Sequence, residues 1–100
     1  MAERRYPVRG DVDMATAPEL QDKLLVLVNA TGDDLVLDCA DLEFIDSTGV
    51  AVFVHTQRLL EVHDRSLRVE NLHGMARRAL DILGLTELLE RDTNARSEHA

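Results

Sequence analysis

Tryptophan is absent from this chain of 100 residues, and one cysteine, two prolines, one tyrosine and two phenylalanines are all it has of those types. Each scarcity excludes something. A lone Cys39 cannot form an intramolecular disulfide, which fits a reducing cytoplasm, and at the end of an apolar strand it reads as a small buried hydrophobe. With so few aromatics the core must be aliphatic, built from the Leu and Val within the 45% hydrophobic content. No apolar run reaches the roughly 20 residues of a membrane span, and Met1 to Arg5 has no signal-peptide hydrophobic region, so a soluble, unexported, cytoplasmic protein is expected. His55, His63, His73 and His99 give no i, i+4 pair and Cys39 belongs to no CxxC, so no metal site is expected. Positive charge is also short. Eleven Lys and Arg face 19 Asp and Glu, a net charge of -8, which argues against nucleic acid and anionic membrane surfaces as partners.

What is present is regular. Arg4 to Arg9 alternates around Tyr6 and Val8 as an edge strand, since Pro7 cannot donate to a ladder. Gly10-Asp11-Val12-Asp13 reads as a turn. Thr16 is placed to cap a helix, with Glu19 completing a capping box and Pro18 in the first turn. Leu20, Leu24, Leu27 and Val28 carry that helix to a stop near Gly32. Leu35-Val36-Leu37 reads as a central strand, Leu67 to Glu70 as another, and Met75, Ala79, Ile82 and Leu83 line one face of a third helix ending at Gly84. Val50 to Val62 follows a helical pattern, although its β-branched start competes with a strand over Val50 to Val54. Leu85 to Leu89 is either one more helical turn or a closing strand. Residues 91–100 carry almost nothing apolar and are expected to be a mobile tail after one domain over 4–90. Alternating strands and helices predict an α/β fold with parallel strands and right-handed crossovers.

The chain is organised around Asp41 to Gly49, D-L-E-F-I-D-S-T-G, where an apolar strand gives way to the second long helix. Ser47 lies at the first turn of that helix, where N–H groups lack intrahelical partners. Two roles suit it. It can cap the helix through its own oxygen, or it can carry a phosphate favoured by free N–H groups and the helix dipole. Between Thr31 and Asp46 lie Asp33, Asp34, Asp38, Asp41, Glu43 and Asp46 with no Lys or Arg. That run either keeps loops soluble or meets a basic partner. Catalysis finds no support: the surroundings of Ser47 are not G-x-S-x-G, no Walker A run exists, and Gly49 stands alone. A hydroxyl that serves as a substrate, not a catalyst, remains, and no cofactor is called for.

The stretch D-L-E-F-I-D-S-T-G-V resembles the phosphorylation motif of STAS-domain proteins, in particular bacterial anti-sigma factor antagonists. G-D-V-D-M-A-T-A-P-E-L, Gly10 to Leu20, resembles the family's passage from strand to helix, and the likeness spans about Val8 to Leu89. It implies a STAS-like, mixed but mainly parallel sheet of about four strands with helices mainly on one face. It further implies that Ser47, directly after the motif's Asp, is the phosphoacceptor, a choice local chemistry leaves open between Ser47 and Thr48. The implied partners are an anti-sigma factor that is itself an ATP- and magnesium-dependent serine kinase, and a metal-dependent serine phosphatase. Asp46 would position the acceptor and touch the partner, Thr48 and Gly49 would shape the helix start, and Asp11 and Asp13 would join the binding face. The family's N-terminal strand pair is expected to be shortened here. A non-switching adaptor subunit of a transport ATPase or stress-signalling complex is the alternative the same resemblance allows.

Overall fold

The computed structural model describes residues 2–82. In chain order its elements are β1 (Glu3–Pro7), β2 (Gly10–Val12), α1 (Ala17–Ala30), β3 (Asp34–Asp38), β4 (Leu42–Ile45), α2 (Ser47–Glu61), β5 (Leu67–Glu70) and α3 (Gly74–Ile82). Every strand pairing among the described residues is parallel: β1–β3–β5 form one sheet and β2–β4 a second pair. The two pieces are continuous in the chain. Val8 N–H donates to the Asp38 carbonyl at 2.9 Å and Gly10 N–H to that of Asp41 at 2.9 Å, so the neighbouring segments stay together across the break. Pro7 faces Asp38, whereas Gly10 faces Leu42 and Val12 faces Ile45, so the second segment takes in extra residues as bulges. Gly10 turns the chain there at φ +68, a conformation that costs glycine little.

Gly10 to Val12 is therefore a strand after a single bend, not a turn. Its turn-like composition is overridden because β4 supplies backbone partners that only the folded chain brings alongside. The second helix begins at Ser47, and the competing strand over Val50 to Val54 does not form. Gly49, Val50, Val52, Phe53, Thr56, Gln57 and Leu60 are buried at helical spacing, and that burial outweighs the β preference of the valines. Thr56 returns its hydroxyl to the Val52 carbonyl at 2.8 Å, which satisfies a buried donor. In α1 the buried stripe is Ala17, Leu20, Leu24 and Val28. In α3 the buried residues are Ala76 and Leu80, whereas Met75 and Ile82 are exposed. The expected face of α3 is thus turned by about one residue, and α3 packs against β4. The readings of Leu83 to Gly84, of Leu85 to Leu89 and of the tail fall outside the described residues.

Register divides the main sheet into two unlike faces. Leu35, Leu37, Leu67 and Val69 point to the core that α1, α2 and α3 share, with Tyr6 packed at its margin. The opposite face carries Glu3, Arg5, Asp38, Arg68 and Glu70. Arg68 bonds Glu3 at 2.6 Å and Glu70 at 2.6 Å, and Arg5 reaches Glu70 at 2.7 Å and Asp38 at 3.6 Å. Val36, which faces Arg5 and Arg68 in register, is fully buried beneath this lattice, whose aliphatic stems can cover it. Helices thus occupy the apolar face, and ion pairs lie over the other. Charges on β1 also suit an edge strand, since they discourage pairing with another chain.

The link between the β2–β4 pair and α2 is tight. Asp46 N–H donates to the Val12 carbonyl at 3.1 Å. A Cβ on Gly49 would meet that same Val12 oxygen at 2.6 Å, Ile45 Cγ1 at 2.6 Å and Val12 Cγ1 at 2.7 Å. The first turn of α2 therefore rests directly on strand backbone. Cys39 is fully buried, and that burial pushes its thiol up to about 12, as expected of a small buried hydrophobe.

Gly49→Ala should cost about 1–3 kcal/mol in urea denaturation, because backbone has to move to admit the methyl group; a loss no larger than that of Ala51→Gly on the exposed side would refute the close contact. Glu70 is held below its usual carboxylate range chiefly by hydrogen bonds from Arg5 and Arg68, and Asp38 chiefly by Asn71, then the Ala40 N–H, with Arg5 helping. A depressed folded value stabilises above the unfolded value of about 4 and loses that contribution as pH falls through the folded value. Arg5→Met should therefore be less stable than wild type at about pH 7, with the gap narrowing towards about pH 2; a gap independent of pH would contradict the lattice.

Candidate functional site

Parallel strands β2 and β4 end side by side, and each delivers the chain through an aspartate into a helix. After Val12 comes Asp13, whose Oδ1 accepts from Ala15 N–H at 2.9 Å and Thr16 N–H at 3.1 Å. After Ile45 comes Asp46, whose Oδ1 accepts from Gly49 N–H at 3.0 Å while its carbonyl receives Val50 N–H at 2.9 Å. Asp46 is the N-cap of α2, and Ser47 is the first residue inside the helix. The cap reading of Ser47 is thereby corrected. Both residues have capping side chains, but Asp46 takes the extended backbone that the cap position requires, with ψ -174.

The reading of Thr16 changes in the same way. It stands at the N-cap of α1 without a side-chain cap bond, and its hydroxyl turns back to the Asp11 carbonyl at 2.8 Å and to Asp13 N–H at 3.0 Å. Glu19 completes no capping box; it pairs with Lys23 at 3.1 Å. The loop is locked from both sides, since the Asp13 carbonyl also accepts from Thr16 N–H at 3.1 Å and Ala17 N–H at 2.7 Å. Asp13 is committed to this loop and half-buried, whereas Asp11 is exposed.

Ser47 is exposed, Thr48 half-buried and Gly49 buried. Among the described residues no hydrogen bond engages the Ser47 side chain. Thr48 lines a groove of about 430 Å³ between the starts of α1 and α2, together with Pro18, Gln21, Asp22, Ala51 and His55. Gly49 contributes by close approach to β2, not by a surface of its own. The Val12–Asp46 bond holds the end of β2 and Asp13 next to the Asp46–Gly49 turn, so all six residues singled out in the sequence gather at the carboxyl ends of β2 and β4. In parallel sheets that end is where ligands are commonly met.

Electrostatically the region is acidic. Between Gly10 and Gln57 the sole Lys or Arg is Lys23, and it is engaged by Glu19. The acidic run is not a single face, however. Asp34 accepts from Ser66 N–H at 3.0 Å, Asp38 belongs to the lattice, and Asp41 lies 3.9 Å from Arg9. Val12 is the residue the sequence did not reveal. It docks α2 through its backbone, and its one local signal is a buried aliphatic between two aspartates. Among the described residues no cluster of His, Cys, Asp and Glu is arranged to hold a metal ion, and no helix is long and apolar enough to cross a membrane.

Residues 5–90 match the family model described as "Mlab, STAS domain". The anti-sigma-B factor antagonist of Bacillus subtilis (strain 168) is 37% identical over 91 residues, covering 91% of this chain and 81% of that protein. The anti-sigma-B factor antagonist of Staphylococcus epidermidis is 32% identical over 82 residues, covering 82% and 76%. That of Staphylococcus aureus (strain NCTC 8325 / PS 47) is 29% identical over the same length. In fold, the crystal structure of a sulfate transporter family protein from Wolinella succinogenes superposes with a TM-score of 0.72 at 18% identity, covering 90% of this chain and 73% of that one. An α/β domain with parallel strands, the two aspartate-led helix starts and these relatives agree: the chain belongs to the STAS-domain family of anti-sigma factor antagonists.

Proposed function

We propose that this protein is a phosphoswitch binding module with no catalytic activity of its own. Unphosphorylated, it sequesters an anti-sigma factor that is also an ATP- and magnesium-dependent serine kinase. Phosphorylated on Ser47, it lets that partner go, and a metal-dependent serine phosphatase resets it in the cytoplasm. The observation that carries this reading is the exposed, unbonded Ser47 hydroxyl one residue inside a helix whose cap is already supplied by Asp46. A phosphate added there does not need the cap bond to break.

The chemistry is one transfer. The Ser47 oxygen attacks the γ-phosphorus of the kinase's ATP, its proton passes to a base on the kinase, and ADP leaves with the bridging oxygen. The product carries about −1.5 to −2 charge beside Asp46. The helix dipole offsets part of this, by about 0.3–1 kcal/mol on an exposed site, so the fold tolerates the change. A partner closed over the site does not, because burying an unpaired dianion costs several kcal/mol. Each 1.4 kcal/mol is about tenfold in affinity, so a loss of about 4 releases a nanomolar complex. Asp11, Asp13, Asp46 and Thr48 supply the partner-binding surface in this reading, and Gly49 fixes its shape.

Incubation with the cognate anti-sigma factor and radiolabelled ATP should label wild type and leave Ser47→Ala unlabelled, while Ser47→Ala keeps its affinity. Equal labelling of Ser47→Ala would remove Ser47 as acceptor. Binding without any labelling would instead favour the non-switching adaptor.

A further inference from the structure

The loop at the carboxyl end of β2 displays an apolar side chain that the fold does not use. Met14 is 75% exposed, in the loop between Asp13 and α1. Leu25, Val26, Met75 and Ile82 are exposed on helix surfaces and Val62 just after α2, where isolated examples are ordinary, and Phe44, on β4 opposite Asp11, is 39% exposed. The setting of Met14 differs. Its loop is held on both sides by Asp13, which receives Ala15 and Thr16 N–H on its carboxylate and Thr16 and Ala17 N–H on its carbonyl. The Thr16 hydroxyl ties the same loop to the Asp11 carbonyl at 2.8 Å. A flexible loop would let methionine fold back onto apolar surface. This one holds it out in water.

We infer that Met14 is an apolar anchor of the partner-binding face, entering an apolar socket rimmed by basic residues on the anti-sigma factor. The inference rests on the reading of the preceding section and adds a residue and a partner chemistry to it. Position supports it: Met14 is two residues beyond Val12, Ser47 is two beyond Ile45, and Val12 and Ile45 are paired neighbours. Both residues therefore follow the same end of adjacent parallel strands, which lie about 4.8 Å apart. Charge supports the rim. Asp11 is exposed, Asp46 half-exposed, and no Lys or Arg occurs from Gly10 to Asp22 or from Ala40 to Gln57. Methionine suits the centre of such a contact, because its unbranched thioether adapts to the socket, and interface cores favour it over charged residues. A preorganised loop also reduces the ordering cost of binding.

Calorimetric titration of the purified cognate anti-sigma factor into unphosphorylated protein tests this, with wild type, Met14→Ala, Met14→Leu and Val62→Ala compared. Met14→Ala should weaken binding at least tenfold with an unchanged melting temperature, Met14→Leu should stay within about threefold, and Val62→Ala should match wild type. Salt should weaken the wild-type complex. A Met14→Ala affinity within twofold of wild type, with wild type binding, would overturn the anchor and leave the switch standing; so would an equal loss in Val62→Ala, since the effect would not be local. No binding by wild type would overturn both.

Discussion

A single backbone hydrogen bond, from Asp46 N–H to the Val12 carbonyl at 3.1 Å, sets the geometry on which the rest depends. It fixes where β4 ends, and Gly49 then lets the first turn of α2 settle against the same carbonyl. A side chain at Gly49 would crowd that carbonyl, so α2 or β2 would have to shift. The residues proposed to meet a partner are thus placed by backbone contacts together with the carboxylates of Asp13 and Asp46.

The sheet is divided to the same end. Its apolar face holds three helices on an aliphatic core, and its other face is closed by a lattice of Arg5, Arg68, Glu3, Asp38 and Glu70. Surface ion pairs singly contribute little, but shared partners across three strands fix register where aromatic pairs are scarce. This leaves the carboxyl ends of β2 and β4 as a firm platform. Asp46 caps α2, Asp13 locks the neighbouring loop, and Ser47 stands free between them. A modification at Ser47 can then alter what binds without altering what folds.

Much of this was legible in the chain. The spacing of Leu20, Leu24 and Val28 and of Val50, Phe53 and Leu60 announces two helices, and Leu35 to Leu37 a buried strand. The strand at Gly10 to Val12 was hidden because its partner, β4, is remote in sequence and its composition is that of a turn. The caps were misplaced by adjacency: Asp46 and Ser47 both have capping side chains, and backbone conformation decides between them. Spacing does not separate them, since an N–H stands two and three residues after either one. The lattice was foreshadowed by Glu3-x-Arg5 and Arg68-x-Glu70, whose alternation puts both charges of each pair on one face. The acidic stretch misled in part, because Asp34 and Asp38 serve the fold.

The central claim is that one phosphate on Ser47 changes binding and not folding. Its most direct test compares stoichiometrically phosphorylated and unphosphorylated protein for affinity to the cognate anti-sigma factor, and for melting temperature in its absence. The account predicts an affinity loss of about 100-fold or more, equivalent to at least about 2.8 kcal/mol, with melting nearly unchanged. Equal affinities of the two forms would contradict it, and so would an affinity loss matched by unfolding of the phosphorylated domain.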